Sequence, residues 1–151
     1  MELIKFNEED KQYGFLGMKY PSEQIVNLND GRHLSTCLAD IIALSQKDYI
    51  QAFELRYQHE GKDVTSVEAL EELENLWKAE SLEIAVQANL AKFSYHKELA
   101  EKLIATEDAY IIYDDRTDDW WGTGPEELGN NLWGIVLMRV RDLLKNSQDN
   151  L

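Results

Sequence analysis

Apolar positions along this chain change their period twice. In the first thirty residues they come in short clusters, Leu3-Ile4-Lys5-Phe6 and Ile25-Val26-Asn27-Leu28, which predict two short strands of a small sheet. Tyr13-Gly14-Phe15-Leu16-Gly17 and Tyr20-Pro21 read as loop between them, and Asn29-Asp30-Gly31 reads as a turn, since asparagine and glycine tolerate left-handed backbone. From Ser35 the spacing becomes helical. Leu38, Ile41, Ile42, Ser45, Tyr49 and Phe53 fall on one face, with Ser35 or Thr36 as N-cap and Gly61 just past the end. Thr65-Ser66-Val67-Glu68 has the form of a capping box, and Leu70, Leu73, Leu76 and Trp77 continue an apolar stripe with glutamates on the wet side. Separate helices are expected over 82–93 and 97–105, a buried strand over 109–113, a last helix over 132–145 and a frayed polar tail over 146–151. The result is an α+β chain, mostly helical, with a small β-sheet. The strands are too few and too clustered for a doubly wound sheet.

Composition narrows the class. At 151 residues, 44% hydrophobic and 29% charged, the chain has the balance of one globular domain spanning 1–151. No apolar run approaches a membrane span, and the start lacks the basic-then-apolar layout of a signal peptide. Cys37 is the only cysteine, which excludes an intramolecular disulfide and makes a reducing cytoplasm the expected location. His33 and Cys37 could share a helical turn, but His59 and His96 stand alone, so neither a metal site nor a cofactor is expected. The net charge of −14 argues against unassisted binding to a nucleic-acid backbone, where lysine and arginine must neutralise phosphates. A solubilising surface explains that charge. An acidic decoy for a basic groove on another protein is the sharper alternative.

The last third is richer in chemistry. Asp118-Asp119-Trp120-Trp121-Gly122-Thr123-Gly124 is followed by Gly129-Asn130-Asn131-Leu132-Trp133-Gly134 and then Leu137-Met138-Arg139-Val140-Arg141. Adjacent indoles in a glycine-rich loop need something to stack on, and glycine lets backbone approach a ligand closely. The alternative is that these tryptophans fold back and plug the core.

This stretch resembles the carboxy-terminal motif of the NADAR (YbiA-like) family, Asp-x-x-Trp-Gly-x-Gly, a spacer, then Gly-x-Asn-x-x-Gly-x-x-Leu-Met-x-Val-Arg. Ala91-Lys92-Phe93, His96-Lys97-Glu98-Leu99 and Leu103-Ile104-Ala105-Thr106 resemble the family's preceding segment, in the same order and at similar spacing. The resemblance covers about 82–144 well and the first half more thinly. It implies a glycosidase acting on N-linked ribose, with an ADP-ribosylated guanine in nucleotide or DNA as the substrate class. Other members cleave phosphorylated riboflavin-pathway intermediates.

Such chemistry needs carboxylates near the anomeric carbon, a surface for the base, and amides or a cation for phosphate. By the resemblance, Asp118 stands at the motif carboxylate and is the first catalytic candidate, while Asp114, Asp115 and Asp119 read as solvated loop. Trp121 would stack on or wall the ligand, Gly122 and Gly124 would bring backbone close, and Asn131 would bind ribose or phosphate unless it caps the last helix. Phe15-Leu16-Gly17-Met18-Lys19-Tyr20-Pro21 resembles the family's Phe-Leu-Ser-Asn-Phe-Tyr-Pro, giving Phe15 and Tyr20 as binding candidates, with Gly17-Met18-Lys19 a departure. Tyr113 stands where many members close the strand with glutamate. The family's helical glutamate and lysine would fall on Leu38 and Ser45 by direct count. With two extra residues in the turn they fall on Asp40 and Lys47, the register preferred here because it recovers both chemistries. Arg141 would either tie the last helix to the acidic loop or touch substrate. A binding module that keeps the nucleotide pocket without turnover is the alternative to an enzyme.

Overall fold

The structure, a computed structural model, describes residues 2–28, 31–35 and 37–149. Strand β1 (Leu3–Phe6) runs parallel to β4 (Tyr110–Tyr113), with Leu3 opposite Tyr110 and Phe6 opposite Tyr113. Strands β2 (Gln24–Leu28) and β3 (Gly31–Ser35) form a separate antiparallel hairpin. Helices α1 (Leu38–His59), α2 (Val67–Tyr95), α3 (Lys97–Ile104) and α4 (Leu132–Asp149) supply most of the mass, and a 3₁₀ turn covers Gly14–Leu16. The α+β class holds, but β1 and β2 do not share a sheet.

Several boundaries differ from the sequence reading for identifiable reasons. Residues 31–35, including His33, pair with β2 as a strand, so α1 starts later and Cys37 rather than Ser35 is its N-cap; Thr36 lies outside the described residues. His33 and Cys37 therefore do not share a helical turn. The expected break before Leu82 is absent, and α2 is one helix of 29 residues. No glycine or proline interrupts Val67–Tyr95, and the buried Ser81 satisfies its hydroxyl on the Lys78 carbonyl of its own helix at 3.1 Å. The cap of α2 is Ser66, whose Oγ accepts the Ala69 amide at 3.1 Å, while the Thr65 hydroxyl turns to Asp63. Ala69 and Trp77 face inward with the half-buried Leu73, whereas Leu70 is exposed. Helix α4 continues to Asp149, because no glycine or proline stops it in the stretch read as a tail.

The core lies between β4, α2, α3 and α4, with Phe93, Leu103, Ile111, Trp133 and Leu137 inaccessible or nearly so. Four side chains fasten it through hydrogen bonds. Asn131 accepts the Tyr113 amide at 2.8 Å and donates to the Ile111 carbonyl at 3.0 Å, so α4 leaves directly from the free edge of β4. Arg141 donates to the Ala109 carbonyl at 2.8 Å and to the Thr106 hydroxyl at 2.9 Å, holding α4 to the approach to β4 rather than to the acidic loop. The Trp133 indole donates to the Leu16 carbonyl at 2.8 Å. Beside it, the fully buried Lys92 donates to the Phe15 carbonyl at 2.5 Å, and these two bonds anchor the 3₁₀ turn over α2 and α4.

Two stability predictions follow from this packing. A Cβ at Gly134 would lie 2.2 Å from the Ile111 carbonyl oxygen. Helix propensity alone favours alanine by about 1 kcal/mol. The backbone clash should reverse that sign, so Gly134→Ala should lose about 2 kcal/mol, within the range for overpacking. The melting temperature should fall by roughly 4–8 °C, and a rise would refute the close approach. Burial brings the Lys92 amine down to about 7, against the opposing charges of Glu8 and Cys37. Between about pH 7 and the unfolded lysine value the unfolded chain then binds more protons at this site, so stability should rise with pH across that window. Lys92→Met should flatten this rise in melting curves collected at pH 7 to 9.5, and an unchanged slope would remove Lys92 as its source.

Candidate active site

The loop after β4 is built on itself. Asp118 Oδ1 accepts the amides of Trp120 and Trp121, both at 2.9 Å, and the Asp118 carbonyl accepts the Gly122 amide at 3.1 Å. The returning arm zips onto this turn: Gly129 donates to Thr123, Asn130 to Asp119, Asn131 to Gly122 and Trp133 to Trp121, at 2.7–3.1 Å. Gly122 and Gly129 make the contact possible, since Cβ atoms there would lie 2.8 Å and 2.4 Å from backbone oxygens. Gly124 takes a positive φ of 73°. These glycines thus bring loop backbone to loop backbone, a role the sequence reading gave to a ligand.

Both tryptophans pack against the core, the second of the two alternatives the sequence offered. Trp121 stands edge-on to Trp133 at 5.7 Å and keeps only 7% of its surface exposed. Trp120 is half-buried against the same core. The neighbouring aspartates are less solvated than expected. Asp114 accepts Arg116 Nε at 2.9 Å and the Thr123 hydroxyl at 3.0 Å; burial pushes its carboxyl up, but these two bonds hold it below the usual range. Asp115 accepts the Thr117 amide and hydroxyl, and its carbonyl accepts the Gly124 amide. Only Asp119 is exposed.

The opposite wall is the 3₁₀ turn and the residues after it. Phe15 is buried, and the Tyr20 ring lies 5.2 Å from the Lys92 ammonium. The Gly17-Met18-Lys19 departure makes contacts of its own. The Glu8 carboxylate rests on the α-carbon of Gly17, where a Cβ would come within 2.6 Å of it, and Glu8 Oε1 accepts the Lys19 amide at 3.1 Å. The Met18 carbonyl accepts the Ala39 amide at 2.8 Å, tying the start of α1 to this wall. The Lys19 ammonium reaches 3.8 Å from Asp115 Oδ2 and so bridges the two walls.

Tyr113, at the end of β4, is fully buried. Its hydroxyl donates to Glu8 Oε1, and burial foremost, then this bond and the charges of Glu8, Asp115 and Asp118, push the phenol well above its ordinary value. β4 ends in a tyrosine, and a carboxylate from beyond β1 abuts it.

The remaining candidates sit as follows. Leu38 is fully buried in the core, while Asp40 on the first turn of α1 and Lys47 two turns on are exposed. Asn131 opens α4, with its carbonyl accepting the Ile135 amide, but its side chain serves β4. Sequence reasoning missed Glu8 and Lys92. Glu8 sits in an unpatterned polar run. Lys92 carried a signal, because it lies at helical spacing from the buried Ala85, Ala88 and Asn89. Among the described residues no three His, Cys, Asp or Glu side chains are grouped to hold a metal ion.

Comparison with known proteins agrees with this architecture. An N-glycosidase of Nostoc punctiforme is 34% identical over 70 residues, which is 46% of this chain and 45% of that protein. The N-glycosidase YbiA of Escherichia coli is 34% identical over 68 residues, 45% of this chain and 42% of its own length. A riboflavin biosynthesis protein of Vibrio vulnificus aligns over 94% of this chain at 28% identity, but over 38% of its own length. The chain thus spans less than half the length of these curated relatives. The NMR structure of E. coli YbiA superposes with a TM-score of 0.59, covering 97% of this chain and 87% of that one; at 23% identity the likeness is one of fold. The NADAR domain profile matches residues 5–145, and on that extent the chain belongs to the NADAR domain family.

Proposed function

We propose that this protein is an N-glycosidase that hydrolyses the bond between ribose and a base in the cytoplasm, releasing ADP-ribose from an ADP-ribosylated guanine in nucleotide or DNA. The supporting observation is the disposition of Asp118. One carboxylate oxygen is fixed by the two tryptophan amides, and the other makes no hydrogen bond to any described residue. It is thus a carboxylate of defined position beside an indole wall. The names of the Nostoc and E. coli relatives support the reaction class.

In this reading water adds to the anomeric carbon as the C–N bond breaks. Asp118 accepts the proton of the attacking water and faces the oxocarbenium-like charge. Asp40 shares the acid–base and oxocarbenium-stabilising work with Asp118, and the departing base is protonated as it leaves. The base lies against Trp121, with Phe15 and Tyr20 on the opposite wall. Lys47 serves the phosphates, while the Gly122 and Gly124 amides and the Asn131 side chain are engaged within the fold and act by shaping the loop. The Met18–Ala39 bond, which ties the first turn of α1 to the Phe15–Tyr20 wall, favours this role for Asp40.

Incubation with ADP-ribosylated guanine nucleotide, read by mass spectrometry, should show free ADP-ribose. Folded protein that releases nothing from this substrate or from riboflavin-pathway ribosides would refute the glycosidase. Asparagine at 118 keeps the oxygen that accepts both tryptophan amides, so Asp118→Asn should fold normally and turn over at least ~100-fold more slowly. Wild-type turnover in that variant would take Asp118 out of the mechanism. A second reading, a nucleotide-binding module without turnover, is favoured by the exposure of Asp40 and Lys47. Calorimetric binding of ADP-ribose together with no release would establish it.

A further inference from the structure

We propose that Glu8 is a further catalytic residue of this cleft, a fixed negative charge that stabilises the positive charge developing on the ribose as the base departs. The proposal rests on the glycosidase reading and adds to it a residue from the opposite wall.

Four independent features fix this side chain. Glu8 Oε1 accepts two donors, the Tyr113 hydroxyl from β4 and the Lys19 amide from the segment after the 3₁₀ turn. Its carboxyl group lies against the bare α-carbon of Gly17, in space that any other residue at 17 would occupy. The Gly14 α-carbon is as close to the Glu8 backbone, with a Cβ there 2.7 Å from its carbonyl oxygen, so main chain and side chain are both seated on glycine. Behind it the charge of Glu8 acts on the buried Lys92 ammonium. Oε2 makes no hydrogen bond to any described residue.

This arrangement suits a particular task. A flexible exposed glutamate would swing to solvate itself, whereas one held by two donors and two steric seats meets a developing charge without reorganising. After burial, Glu8 and Asp118 both push the Tyr113 phenol upward, Glu8 foremost through the hydrogen bond it accepts and Asp118 through its charge. Neither bond to Oε1 requires Glu8 to gain or lose a proton, which separates its role from the proton transfers given to Asp118 and Asp40.

Three variants test the idea with an ADP-ribosylated guanine nucleotide as substrate. Glu8→Gln keeps an oxygen for both donors and removes only the charge. It should lower kcat about 100-fold, leave KM within about threefold, and keep the wild-type melting temperature within about 2 °C. Gly17→Ala keeps the charge but displaces it, and should lower kcat about 10-fold or more. Tyr113→Phe removes one donor and should give an intermediate loss. Should Glu8→Gln fail to fold, the Gly17→Ala and Tyr113→Phe pair decides, and wild-type kcat in both overturns the proposal. A Glu8→Gln variant with wild-type kcat, or with an effect confined to KM, overturns it while leaving the glycosidase standing. A wild-type protein without turnover overturns both.

Discussion

The free edge of β4 is the constraint on which the rest of the structure depends. A two-stranded parallel sheet leaves one side of each strand without partners, and a buried unpaired backbone group costs about 1–3 kcal/mol. β4 meets β1 on one side. On the other, a single amide side chain does the work of a third strand, as Asn131 takes the Tyr113 amide and the Ile111 carbonyl together. Because Asn131 is also the residue from which α4 starts, this pair of bonds sets where the helix begins and which face it shows. Gly134 then lets the helix lie on the strand, Trp133 enters the core, and the indole reaches the Leu16 carbonyl on the far side. The tryptophan–glycine loop is what must span the distance between strand end and helix start.

The 3₁₀ turn depends on the same core from the other direction. Its residues Phe15 and Leu16 have few regular backbone partners, and two of their carbonyls are met by side chains, Lys92 from α2 and Trp133 from α4. A lysine is an expensive way to satisfy a carbonyl, since burial disfavours its charge. It makes sense where the amine also balances a carboxylate, and the charge of Glu8 is placed to do that. Structural anchoring and cleft electrostatics are therefore carried by the same side chain.

Much of the fold could be read from periodicity. The buried face of α1 from Leu38 to Phe53, the strand ending at Tyr113 and the start of α4 at Leu132 all follow from spacing and capping rules. The errors share a cause. β3 was missed because five residues of mixed character become a strand only through pairing with β2, and pairing leaves no local trace. The break expected before Leu82 does not occur, because no glycine or proline interrupts α2 and Ser81 satisfies its hydroxyl within the helix. The Asp118 turn could be picked out because the bonds that build it are local, from its carboxylate to the amides two and three residues on. The surroundings of Glu8 left no such trace, because its neighbours Gly17, Lys19 and Tyr113 lie up to 105 residues away.

The departures from the family pattern at Gly17 and Tyr113 can be understood as one change rather than two. A tyrosine at the end of β4 packs its ring against Phe6 at 5.4 Å and Trp133 at 6.5 Å, which a glutamate there could not do. That ring carries a hydroxyl into the protein, and a buried hydroxyl needs an acceptor. Glu8 is that acceptor, and its carboxylate lies where a Cβ at residue 17 would come within 2.6 Å of it, so a side chain there would displace it. Serine at 17 with tyrosine at 113 would place a Cβ where the carboxylate stands. Glycine at 17 with glutamate at 113 would set two carboxylates against each other, repelling at close range. Tyr113, Glu8 and Gly17 are physically one unit, joined by the hydroxyl–carboxylate bond and by the close seat of that carboxylate on the Gly17 α-carbon.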